Sequence, residues 1–159
     1  MTLSPISIPA RALFRLLWVS ALGVMLTVAA PALAKTRALL IGAAVYDPAL
    51  GIANLKGPPN DVALLRDTLS ARGVTAITLL ADGVAGAKRP THAAILSAFA
   101  DLAQVSGPGD LVFVSMSGHG TRQPDQNGDE TDGLDEVFLP SDTGRAEGGA
   151  QVIPNALVD

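Results

Sequence analysis

The sequence predicts an α/β fold: a mostly parallel sheet with helices on both faces. Three short apolar runs, Thr36–Ala43, Val74–Leu80 and Asp110–Met116, have the length and composition of buried strands. The two segments between them repeat apolar residues at helical spacing. Glycine, proline and asparagine punctuate every junction. Strands alternating with helices imply crossover connections, which bring successive strands together in parallel.

The chain of 159 residues opens with a segment that stands apart from this pattern. Arg11 and Arg15 precede an uncharged run that ends in Pro31-Ala32-Leu33-Ala34. Small residues at Ala32 and Ala34 form the A-x-A pattern of a signal peptide, so residues 1–34 are expected to direct export to the periplasm or the medium. The run from Leu16 to Ala34 is also just long enough for a membrane anchor, and membrane association is expected only if it stays uncleaved. Cleavage would remove two arginines and no acid, taking the formal charge from −4 to −6 over residues 35–159. An acidic domain is a poor match to nucleic acid and could attract basic substrates. The chain contains no cysteine. That excludes disulfides, zinc–thiolate sites and a thiol nucleophile of its own. No internal repeat or long low-complexity tract is present, and nothing encodes an oligomeric state.

After the first strand, a loop rich in Gly, Pro and Asn runs from Tyr46 to Asn60. Pro58-Pro59-Asn60-Asp61 predicts a helix start with Asn60 as N-cap. Val62, Leu65 and Leu69 share one face, and Gly73 predicts the stop. Thr91 is expected to cap the second helix, which carries Ile95, Leu96, Phe99 and Leu102 on its buried face. The strand at residues 110–116 is the clearest candidate for full burial. A polar, acidic loop is expected from Gly118 to Asp135, a further strand at Glu136–Leu139, and a helix start at Pro154–Leu157.

Two histidines could carry chemistry. His92, just after a helix cap, reads as an ordinary solvated residue. His119 directly follows the third strand within Ser117-Gly118-His119-Gly120, where flanking glycines permit a sharp turn. Functional groups gather at the carboxyl ends of parallel strands, a suitable place for a general acid or base.

Three segments resemble a known family. They are Leu55-Lys56-Gly57-Pro58-Pro59-Asn60-Asp61, then Ser117-Gly118-His119-Gly120-Thr121, then the run from Asp125 to Glu136 followed by Pro140-Ser141-Asp142. With Ala38–Gly42 as the opening strand, they resemble the N-terminal part of caspase-like, metacaspase-type cysteine peptidases over residues 35–159. The resemblance implies a caspase-like three-layer sandwich, incomplete in this chain, and cysteine-type endopeptidase activity on proteins or peptides after Arg or Lys. It implies that His119 is the catalytic histidine and that Asp61 and Ser117 line the substrate pocket. An Asp in the first turn of a helix is equally well explained by the helix dipole. The family's nucleophile is expected in an Asp-x-Cys strand beyond Asp159. The alternative function is a non-catalytic caspase-like binding module.

The resemblance requires no cofactor. It implies Asp135 as a calcium ligand, with binding weakened because Pro154-Asn155 stands where the family's further acidic pair is expected. Asp125, Asn127, Asp129 and Glu136 also fall at EF-hand positions one, three, five and twelve, but Glu130 occupies the position that requires glycine. Gly83–Lys88 lacks the spacing of a phosphate-binding loop.

Overall fold

The computed structural model describes residues 34–146 and 152–158. Apart from Ala34, the expected signal peptide or anchor lies outside the described residues. Strand β1 (Thr36–Gly42) is the centre of a three-stranded sheet, flanked by β2 (Ala76–Ala81) and β3 (Leu111–Ser117), both parallel to it. Its side chains alternate between two buried layers. Ala38 and Leu40 pack with Val62, Leu65 and Leu69 of helix α1 (Gly57–Ala71). Leu39 and Ile41 pack with Ile95, Phe99 and Leu102 of helix α2 (His92–Val105). A strand covered on both faces needs an unbroken apolar run, as β1 has.

Helix α2 begins as expected: the Thr91 hydroxyl accepts from Ala94 N at 3.2 Å. Helix α1 starts earlier than expected. Lys56 is its N-cap, and Asn60 lies inside the first turns, donating from Nδ2 to the Lys56 carbonyl at 3.1 Å. The first N–H groups of a helix have no intrahelical acceptor, so Pro58 and Pro59 fit there at no cost in hydrogen bonds. Gly73, at φ +82°, ends the helix as expected.

A second, antiparallel sheet follows, in the order β4 (Gly120–Pro124), β5 (Leu134–Phe138) and β6 (Leu157–Val158). Strand β4 occupies part of the expected acidic loop. Strand β6 replaces the helix expected from Pro154: Pro154-Asn155 forms a turn in which Asn155 takes φ +60°, a left-handed conformation that stops a right-handed helix.

The expectation for β3 is corrected. Among the described residues it pairs only with β1, and α2 packs over β1 and β2 without covering it. Leu111 is therefore 62% exposed, Phe113 36% and Met116 40%. Among the described residues nothing pairs with the outer edge of β3, and no helix is long and apolar enough to cross a membrane.

The two sheets are joined by a buried cluster of Ala43, Tyr46, Val137, Leu139 and Ala156. The Tyr46 hydroxyl donates to the Leu139 carbonyl at 3.1 Å, with the Ala43 carbonyl at 3.3 Å as a second acceptor. Asp82, just past β2, accepts at Oδ2 from Ala44 N at 2.9 Å, Val45 N at 3.0 Å and the Ser141 hydroxyl. This one buried carboxylate ties together the loops after β1, β2 and β5.

Leu40 is fully buried, whereas Leu64 is 68% exposed on α1. In urea denaturation, Leu40→Ala is expected to lower stability by about 2–5 kcal/mol, and Leu64→Ala by no more than about 0.5 kcal/mol. Equal effects would contradict the assignment of the core. A second prediction concerns Tyr46, the only tyrosine. Burial pushes its phenol above the ordinary 10.0; the N–H donated by His119 opposes this, and the Asp82 charge adds to the rise. A phenol with a raised folded-state value contributes stability that is lost as pH rises through that value. Ultraviolet titration should place its midpoint above 10.0 in the folded chain and near the ordinary value in denaturant. Identical midpoints would contradict its burial.

Candidate functional site

The turn between β3 and β4 is built around Gly118. A Cβ there would lie 2.8 Å from the Phe138 ring and 3.3 Å from Ala43 Cβ, so only glycine lets the chain pass between them. The turn delivers His119 to the carboxyl edge of the parallel sheet. Both backbone groups of His119 are bonded: its N–H donates to Tyr46 Oη at 3.3 Å, and its carbonyl accepts from Leu139 N at 2.9 Å. The imidazole lies 5.3 Å from the Tyr46 ring, centroid to centroid, with 51° between the planes.

The ring is held at one nitrogen. His119 Nε2 lies 2.8 Å from the Ala53 carbonyl oxygen. A carbonyl only accepts, so Nε2 carries the proton, and the neutral ring keeps its lone pair on Nδ1. This is the arrangement of a base: one nitrogen fixes the orientation, and the other can take a proton from a neighbouring acid.

Two of the residues expected around His119 meet directly. The Ser117 hydroxyl donates to Asp61 Oδ2 at 2.7 Å. Asp61 projects from the start of α1 and is exposed; Ser117 ends β3 two residues before His119. The N-terminal end of α1 and the carboxyl end of β3 thus place a carboxylate near the histidine turn, where it can meet a cation. On the other side of the turn, Gly118 and Gly120 border an open, largely apolar groove of about 910 Å³, with Phe99 of α2, Met116 of β3 and Phe138 of β5 on its walls.

Asp135 lies elsewhere, buried on β5, where Gln123 Nε2 donates to its Oδ2 at 3.4 Å. The structure adds two carboxylates that the resemblance did not: oxygens of Asp125, Asp129 and Asp135 lie within 4.8 Å of one another. Asp125 accepts from the N–H groups of Asn127, Gly128 and Glu130. Those bonds, that from Gly128 foremost, hold its carboxyl below the usual range. Three hard oxygen donors suit calcium or magnesium. Asn155, where a further acid was expected, instead donates to the Asp142 carbonyl.

Sequence reasoning missed Tyr46, Ala53, Asn54 and Asp82. A tyrosine in a Gly- and Pro-rich loop was a usable signal for the first. A backbone acceptor such as Ala53 O leaves no signal at all.

The metacaspase, peptidase C14 domain family matches residues 36–155. Metacaspase-6 of Arabidopsis thaliana is 39% identical over 94 residues, 57% of this chain and 26% of that protein. Metacaspase-1 of Plasmodium falciparum is 38% identical over 114 residues, 68% of this chain and 18% of that protein. The chain spans about a quarter or less of the length of these relatives. The crystal structure of protein GSU0716 from Geobacter sulfurreducens superposes with a TM-score of 0.58 at 29% identity, covering 79% of this chain and 42% of that one. The parallel sheet, covered on both faces at β1, and the family match over nearly all the described residues agree with the resemblance read from the sequence: this chain belongs to the metacaspase, peptidase C14, family.

Proposed function

We propose that the chain supplies the histidine half of a cysteine-type endopeptidase centre that cleaves after Arg or Lys. The observation that carries this reading is the bond from His119 Nε2 to the Ala53 carbonyl, which leaves Nδ1 as the base. In this mechanism Nδ1 takes the thiol proton and the thiolate attacks the scissile carbonyl. The imidazolium then protonates the leaving amine as the C–N bond breaks, and water hydrolyses the thioester. The Asp61 carboxylate, oriented by Ser117, pairs with the cationic side chain before the cleaved bond. The sequence holds no cysteine, so in this reading the thiol comes from residues outside these 159. The open edge of β3 and the groove beside Gly118 support this, because they leave room for a further strand next to His119. Export through residues 1–34 belongs to the same reading. Calcium would be held by Asp125, Asp129 and Asp135, where it would neutralise their charge and brace the β4–β5 hairpin.

The absence of cysteine also favours a second reading, a non-catalytic binding module. The coding sequence beyond Asp159 separates the two: an Asp-x-Cys strand supports the peptidase, and Ser or Gly in place of that cysteine supports the module.

Three outcomes are expected on Arg-ended fluorogenic peptides. The 159 residues alone give no turnover. In the extended protein, His119→Ala lowers kcat by about 10²–10⁴-fold; unchanged turnover would remove His119 from the mechanism. Asp61→Asn lowers kcat/KM for the Arg peptide by about tenfold or more, and an unaltered preference for Arg would dismiss Asp61 as the pocket carboxylate. For calcium, titration calorimetry at millimolar concentration should show heat that Asp135→Asn abolishes, and no heat in the unmodified chain would exclude the ion.

A further inference from the structure

One loop holds His119 at two separate points. The segment from Ala43 to Leu55 leaves β1 and closes on itself: Leu55 N donates to the Ala44 carbonyl at 2.9 Å, and Tyr46 N donates to Asn54 Oδ1 at 2.9 Å. Its base is pinned to the end of β2 through the two N–H bonds to Asp82. From this closed loop, Tyr46 Oη accepts the backbone N–H of His119, and the Ala53 carbonyl accepts the Nε2 proton. Asn54 connects the two contacts. Its side chain fixes the backbone of Tyr46, and its own backbone adjoins the Ala53 carbonyl.

We propose that Tyr46 and Asn54 are positioning residues for His119, which set the orientation and tautomer of its ring through the Ala43–Leu55 loop. The proposal rests on reading His119 as the acid–base residue. Its physical basis is preorganisation. A loop free to sample many backbone states would present the Ala53 carbonyl only part of the time, and the ring would then exchange between tautomers. Asn54 selects one state by giving Tyr46 N–H an acceptor, and Tyr46 carries that state to the main chain of His119. Asp82 acts one step further back, on the base of the loop.

The test is nitrogen NMR of the imidazoles in the full chain, which has only two histidines, so that His92 serves as the internal control. The unmodified chain is expected to show His119 with the proton on Nε2. Tyr46→Phe and Asn54→Ala should each shift His119 to a mixture of tautomers and leave His92 unchanged. Asn54→Asp, which keeps the acceptor oxygen, should retain the original tautomer. A wild-type ring in both Tyr46→Phe and Asn54→Ala would overturn the proposal. If the buried Tyr46 variant fails to fold, the exposed Asn54 pair decides alone: a difference between Asn54→Ala and Asn54→Asp supports the proposal, and identical rings overturn it. In the extended protein, Asn54→Ala should lower kcat by about 3–10-fold with KM unchanged, and an effect on KM alone would contradict positioning. Failure of the peptidase reading would appear separately, as undiminished turnover by His119→Ala.

Discussion

A carbonyl oxygen has no proton to give, and the Ala53 carbonyl is the group that meets the His119 ring. The functional account depends on that constraint. It fixes which nitrogen carries the proton, and therefore which one can act as a base. It also explains why so much local structure converges on an irregular loop. Asp82 anchors the start of that loop, Asn54 closes it, and Tyr46 joins it to the turn after β3. Gly118 completes the arrangement from the other side, because a side chain there would strike Phe138. Each of these features is minor alone. Together they turn a flexible imidazole into an oriented one.

The same chain leaves β3 half covered. A strand with apolar residues on both faces is suited to the middle of a sheet, yet among the described residues β3 has one neighbour and exposes Leu111, Phe113 and Met116. Exposed apolar edges favour association with another strand. The histidine turn sits at the end of this strand, so whatever pairs with the open edge also comes beside His119. In the peptidase reading, sheet completion and site completion are one event.

Much of the fold was legible because burial leaves a period in the sequence. The three parallel strands and both helices announced themselves through apolar spacing, and Thr91 and Gly73 marked their boundaries. Strand β4 stayed hidden because Gly120-Thr121-Arg122-Gln123-Pro124 has no apolar alternation; Gln123 is its one buried side chain. Strand β6 is two residues long and carries no period. The burial of β3 was overestimated because hydrophobicity records what a strand can bury, not what covers it. At the site, the glycines around His119 and the acid beginning α1 are local patterns, so a sequence can display them. The partners of the histidine are not. Ala53 is 66 residues away from His119 and contributes only backbone. Two of the three bonds to Asp82 come from the main-chain N–H groups of Ala44 and Val45, which leave no mark on the identity of those residues.

The central claim is that His119 is held as the Nε2-protonated tautomer, with the lone pair of the neutral ring on Nδ1. Nitrogen NMR of the neutral His119 ring tests it most directly. A persistent Nε2–H bonded to the Ala53 carbonyl, with Nδ1 unprotonated, is the expected result. A ring protonated on Nδ1, or one averaged between tautomers, would contradict it.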